Sequence, residues 1–199
     1  MHVNKKGIRV LGIAESFRRD YEKSVLAGIV MRSDFIIDGA AFDMITVGGM
    51  DATEGVLRIF ESLQRDDINV IMLNGCVISW FNIIDIKEVY KRLQIPLICV
   101  TYEESEGLEE HIAKHFAAHE RDSRIEAYKR LGDRVSVELQ DGFEVLIRFW
   151  GIEKTEAGAV LKKFVVQGKV PEPLRVAKIV ARATLRSGLE VWRFGGIAV

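Results

Sequence analysis

The spacing of apolar and polar positions predicts the elements in order. Residues 8–13 read as a strand. Residues 24–31 and 35–47 follow with β-branched and apolar content around Gly and Asp turn signals, and together the three form an antiparallel meander. From Asp51 the period changes: Glu54 lies three residues on, at capping-box spacing, and Val56, Leu57, Ile59, Phe60 and Leu63 supply the apolar face of a helix of about three turns. Residues 69–73 are a short apolar run stopped by Asn74-Gly75, and 96–101 are another. The helical period of 84–93 lies between them, so strand, helix and strand make a right-handed parallel crossover. Residues 107–128 read as helix with a break near Glu120. Residues 134–139 and 143–150 flank a Gln140-Asp141-Gly142 hairpin signal, and helices over 154–166 and 172–185 finish the pattern. A meander leading into crossovers and further helices gives an α/β fold, a mixed sheet with helices on its faces.

Composition narrows the class. The 199 residues are 48% hydrophobic and 29% charged, enough to bury a full core, and neither repeat nor linker divides them, so one domain over 1–199 is expected. No apolar run reaches the roughly 18 residues of a membrane span, and residues 1–6 lack the apolar stretch of a secretory leader; a cytoplasmic protein with no membrane partner is the expectation. Cys76 and Cys99 sit in apolar surroundings without zinc spacing and read as buried free thiols. The net charge of −1 offers no general attraction to nucleic acid, although residues from 120 onward carry +4 and those before them −5.

Several segments carry a more specific signal: Arg9-Val10-Leu11-Gly12-Ile13, Ile45-Thr46-Val47 with Gly49-Met50-Asp51-Ala52-Thr53-Glu54, Val70-Ile71-Met72-Leu73-Asn74-Gly75, Phe81-Asn82-Ile83-Ile84-Asp85-Ile86, and Pro171-Glu172-Pro173-Leu174-Arg175-Val176-Ala177. In this order and spacing the chain resembles the archaeal endonuclease dU proteins, relatives of endonuclease V in the RNase H-like superfamily, over nearly its whole length. The resemblance implies an RNase H-like fold with acidic groups at the carboxyl end of the sheet. Such groups hold Mg2+ or Mn2+, which activates water and stabilises the leaving oxygen of a phosphodiester.

Measured against that family pattern, most of the metal-binding groups are missing. Ala14 stands where an Asp follows Gly-Ile, Asn74 where an Asp precedes Gly, and Lys178 where a His or Asp follows the Pro-Glu-Pro motif; Glu54 is retained. Glu15 can replace the lost Asp only if a bulge or the strand's end re-aims it, because successive side chains point to opposite faces. Asn74 keeps a carbonyl but loses the charge, and Lys178 cannot ligate a metal while protonated. At an effective dielectric near 20 a like charge about 4 Å from an ion costs on the order of 4 kcal/mol. Lys178 is therefore expected to neutralise Glu54 in the metal's place. The aromatic wedge of endonuclease V has no counterpart in residues 44–49, which contain neither Pro nor Tyr.

Other candidates divide between packing and binding. Arg175, Lys178, Arg182 and Arg186 recur at helical spacing as a basic stripe suited to phosphates, or simply to solvent. Trp80 and Phe81 can stack an unpaired base or pin their loop to the core. His111, His115 and His119 align on one helical face, where a solvated flank beside Ile112 and Phe116 is preferred to a metal site. Cys76 reads as a packed thiol rather than a nucleophile, Asn82 as a helix cap, and Gly49 and Asp51 as turn and cap residues. The functional expectation is a diverged endonuclease V-like protein with a degraded nuclease site, no cofactor, and DNA or RNA as its partner through Arg175, Lys178, Arg182, Arg186 and Trp80. Two readings stand beside it. One is an active metal-dependent endonuclease for deoxyuridine- or inosine-containing DNA, its site rebuilt from Glu15, Glu54, Asn74 and Asp51. The other is an assembly protein using a sheet edge or the 77–81 segment, without affinity for nucleic acid.

Overall fold

The computed structural model describes residues 7–103 and 107–193, so the reading of residues 1–6 lies outside the described residues. Three parallel strands, β1 (Arg9–Ser16), β4 (Val70–Leu73) and β7 (Leu97–Thr101), form the centre of a seven-stranded sheet. The antiparallel β2 (Lys23–Arg32) and β3 (Ile37–Thr46) extend it on the β1 side, and β9 (Glu144–Trp150) and β8 (Val135–Glu138) on the β7 side, giving the order β3-β2-β1-β4-β7-β9-β8. This is the expected meander followed by a parallel crossover.

Alternation along the central strands divides the core. Leu11, Ile13 and Leu73 face one layer, where they meet Val56 and Leu57 of α1 (Ala52–Leu63), Ile86 and Val89 of α2 (Ile86–Leu93), and Ala127 of α4 (Ala118–Arg130). Val10 and Met72 face the other, against Val160, Leu161 and Phe164 of α5 (Lys154–Phe164) and Leu174 of α6 (Glu172–Arg193). Farther along α6, Ala177 packs on Ala14 and Ile29, and Ala181 on Val25 and Ala27. The seat is tight at Gly12, where an added Cβ would lie 2.6 Å from the Pro173 backbone. Only a residue without a side chain admits that approach.

Three expectations are corrected. The break expected near Glu120 falls earlier: α3 (Glu109–His115) ends where Phe116 and Ala117 are extended, so His119 lies on α4 and the three histidines share no common helical face. Cys76 and Cys99 are buried as expected but joined as a disulfide, with Cα atoms 6.1 Å apart. The segment between β4 and α2 also contains an unanticipated small hairpin of β5 (Val77–Ile78) and β6 (Asn82–Ile83).

The start of α1 is locked by that hairpin rather than by a capping box. Asp51 makes no side-chain cap. Its carboxylate instead accepts from the Thr46 N–H at 3.0 Å, the Thr46 hydroxyl at 2.9 Å and the Asn82 amide at 2.7 Å. Asn82, fully buried, donates also to the Thr46 carbonyl at 2.9 Å and accepts from the Ala52 N–H at 2.9 Å. It is therefore a helix cap as expected, but of α1; α2 is capped by Asp85, which accepts from Lys87 and Glu88. Burial opposes ionisation of Asp51, yet the hydrogen bonds from Asn82 and Thr46 outweigh it and hold the carboxyl below its ordinary pKa.

Truncating Asn82 to Ala strands these partners in the core and should cost about 3 kcal/mol in urea unfolding. Because the Asp51 pKa is depressed by folding, its contribution is present above the unfolded carboxyl value of about 4 and is lost as pH falls through the folded one. The stability advantage of the wild type over Asp51→Asn should therefore be constant near neutrality and shrink below about pH 4.

Candidate nucleic-acid interface

The carboxyl ends of β1 and β4 lie side by side. Ile13 is in register with Leu73, and the Asn74 N–H donates to the Ile13 carbonyl at 2.9 Å, so Asn74 continues next to Ala14. Ala14 is buried against Ala177. One residue farther along α6, Lys178 reaches over the end of β1, its Nζ 2.6 Å from the Glu15 carbonyl oxygen and 3.4 Å from Glu15 Oε1. The β1–β2 register runs unbroken through Glu15 and Ser16, so no bulge re-aims Glu15. Its side chain is only 12% exposed, and Oε2 is buried without a hydrogen-bond partner.

Glu54 has a different partner from the one expected. Its carboxylate pairs with Arg92 of α2 at 2.7 Å, while Lys178 serves Glu15. The Glu54 pair is exposed on both sides and is worth at most about 1 kcal/mol. Asp51 is consumed by the Thr46–Asn82 lock. Among the described residues, no three His, Cys, Asp or Glu side chains are grouped to hold an ion. A divalent cation at the end of β1 would meet Ala14, an uncharged Asn74, and a single carboxylate, Glu15, already paired with the Lys178 ammonium, and that donor set fits it poorly.

Beside this end stands the aromatic tip of the β5–β6 hairpin. Ser79, Trp80 and Phe81 all have positive φ, at 42°, 62° and 63°, a run that costs roughly 1–2 kcal/mol per residue. Surrounding bonds hold it there. The Gly48 N–H donates to the Ser79 carbonyl at 2.7 Å, the Ser79 hydroxyl meets that of Ser24 at 2.7 Å in the core, and Arg124 donates to the carbonyls of Gly48, Gly49 and Phe81. Arg124 is buried, and burial pulls its guanidinium below its ordinary pKa. Trp80 packs against Phe81 and against His115, with ring centroids 5.1 and 4.7 Å apart. The exposed Arg19 lays its guanidinium over the Trp80 ring at 3.6 Å from the centroid. Arg19 and Arg124 were missed in the sequence, where each reads as one more charge on a polar loop or helix.

The basic stripe of α6 divides in use. Arg175 binds Glu172 and donates to the carbonyls of Gln167 and Val170, which ties down the loop before α6, and Lys178 is engaged with Glu15. Arg182 and Arg186 are exposed. Both follow Ala181, which packs on Val25 and Ala27 near the end of β1, so the helix carries them on past Lys178 at that end of the sheet.

Comparison with known proteins agrees with this architecture. The family model described as Endonuclease dU matches residues 6–185. A UPF0215 protein of Pyrobaculum calidifontis is 43% identical over 172 residues, covering 86% of this chain and 93% of its own length, and one of Pyrococcus furiosus is 34% identical over 188 residues, covering 92% and 94%. Among solved structures, an Archaeoglobus fulgidus protein of unknown function superposes with a TM-score of 0.74 at 26% identity, over 88% of this chain and 97% of that one. Endonuclease V of Ciona intestinalis, solved with a DNA 24mer containing inosine, superposes with a TM-score of 0.60 at 12% identity, over 92% and 87%. The latter likeness is one of fold. The chain belongs to the Endonuclease dU family, on an endonuclease V-like, RNase H-like fold.

Proposed function

We propose that this protein binds nucleic acid at the carboxyl end of its sheet without hydrolysing it by a metal-dependent route. The observation that carries this reading is the Lys178 ammonium, held 2.6 Å from the Glu15 carbonyl oxygen and 3.4 Å from its carboxylate beside Ala14 and Asn74. An ammonium there presents a fixed positive charge to a phosphate. It offers no bound water to activate and no Lewis acid for the leaving oxygen. Arg182 and Arg186 extend the positive rim, and Trp80 under Arg19 offers a ring on which an unpaired base can stack. That the Ciona endonuclease V, of similar fold, was solved with an inosine-containing DNA supports nucleic acid as the class of ligand.

A second reading, an active endonuclease, draws on Glu54, which is retained and only loosely held by Arg92. Cleavage assays separate the two. With uracil- or inosine-containing DNA and millimolar Mg2+ or Mn2+, no cleavage above the no-metal control is expected; robust metal-dependent cleavage abolished by Glu54→Gln would overturn the proposal.

Binding is tested by fluorescence anisotropy with single-stranded oligonucleotides across a salt series. Replacing Arg182 and Arg186 together by Ala should weaken binding and reduce the log–log salt slope by about 1.4, the value for two lost phosphate contacts on a single strand. Trp80→Ala should cost about 1–3 kcal/mol on an oligonucleotide with bases, leave the salt slope intact, and have little effect on an abasic one.

A further inference from the structure

Among the described residues, β3 is the outermost strand of the sheet and pairs with β2 alone. It is ten residues long and contains no Pro, Lys or Arg, the residues with which proteins commonly blunt an exposed edge. Its register defines what that edge presents. Ala40, Phe42 and Met44 stand opposite Ile29, Ala27 and Val25, which pack beneath α6, so their side chains share the α6 face. The helix covers β1 and β2 but stops short of β3, and Phe42 is 63% exposed. Phe35, Ile36 and Ile37 at the start of the strand are exposed as well.

The hydrogen-bonding groups follow the same parity. The Val47 N–H donates to Glu22 across the ladder, which assigns the odd-numbered residues to β2 and the even-numbered ones to the outside. At Thr46 the outward groups are already taken: its N–H by Asp51, its carbonyl by the Gly49 N–H and the Asn82 amide. The outward N–H and C=O groups of Ala40, Phe42 and Met44 remain, a short ladder centred on Phe42.

We propose that this edge pairs with β3 of a second copy of the chain, antiparallel about a two-fold axis through Phe42. In that register Phe42 faces Phe42 of the second copy in a doubly hydrogen-bonded pair, and Ala40 faces Met44 on either side. A two-fold axis perpendicular to the sheet keeps the α6 faces together, so the two Phe42 rings meet as a cross-strand aromatic pair over the uncovered strip. Charge favours the same occupant. The charged side chains of β3 are Asp38 and Asp43, and each is neutralised within its own chain, Asp38 by Arg9 and Arg65 and Asp43 by Arg58. Two copies therefore meet without unpaired like charge, and no free charge selects an oppositely charged partner strand. The apolar, self-complementary ladder matches itself.

Size-exclusion chromatography with light scattering, using the full chain at micromolar to about 100 μM concentration, tests this. The wild type is expected at twice its monomer mass. Phe42→Asp, which removes the aromatic pair and adds repulsion, and Met44→Pro, which removes one outward N–H while leaving the β2 ladder intact, should each give a monomer with unchanged circular dichroism. Phe143→Asp, at an exposed apolar position away from β3, should leave the dimer unchanged. A wild type that stays monomeric at 100 μM, or a dimer whose mass neither Phe42→Asp nor Met44→Pro alters, overturns the proposal.

Discussion

The close seating of α6 on β1 and β2 determines most of what this molecule can do. Gly12 lets Pro173 approach to a distance that any side chain would forbid, and the small residues Ala177 and Ala181 continue the seat along the strands. Pro173 tolerates this place because the first helical turn has no intrahelical use for its missing N–H. Once the helix is pinned at this height and phase, Lys178 has one place to go, over the end of β1. Arg182 follows one turn later toward the same end. The helix is also too far along the sheet to shelter β3, whose apolar strip is left bare. The lysine at the end of β1 and the exposed edge are thus two consequences of a single packing contact.

That contact also constrains the chemistry electrostatically. Glu15 is nearly buried with one unpartnered carboxylate oxygen, so removing Lys178 alone would leave an uncompensated buried charge, a change that typically costs 3–5 kcal/mol. Restoring a metal ligand at position 178 therefore requires Glu15 to change or another cation to enter. A divalent ion in turn requires carboxylates at positions 14 and 74, and at 14 the replacement would have to fit where Ala14 packs on Ala177. Lysine is coupled to its surroundings on both sides, to the carboxylate by charge and to the helix by packing.

The strands, the crossover and the positions of Ala14, Asn74 and Lys178 were legible in the sequence because each depends on local periodicity or on segments met in a fixed order. What stayed hidden depends on contacts distant in the chain. Nothing near Lys178 tells that its partner is Glu15 rather than Glu54; the choice follows from where α6 carries the lysine, over the end of β1 and the Glu15 carbonyl. The sequence places a break near Glu120, but its actual position at Phe116-Ala117 carries no Gly or Pro and is held by the packing of Phe116 against Phe81 and Arg124. The disulfide of Cys76 and Cys99 needs the loop after β4 to fold back on β7. Asn82 could be read as a cap, but not as the cap of the helix that precedes it.

The least legible feature, the left-handed run Ser79-Trp80-Phe81, carries a general physical consequence. Three residues in that region cost a few kcal/mol unless their surroundings over-determine them. Here Arg124 gives its donors to carbonyls of both the hairpin tip and the loop before α1, so the two segments cannot move independently. The buried guanidinium loses hydration and recovers part of it as charge-assisted hydrogen bonds from its two terminal nitrogens, its Nε being left without a partner among the described residues. The Trp80 ring is thereby fixed before any ligand arrives, with the exposed His115 ring beside it and the exposed Arg19 guanidinium over it. A base that replaced or joined that guanidinium would meet a ring already in place and would sacrifice little conformational freedom in the protein. Rigidity of this kind requires no metal: it rests on the carbonyls that Arg124 ties together and on the Ser24–Ser79 hydroxyl pair.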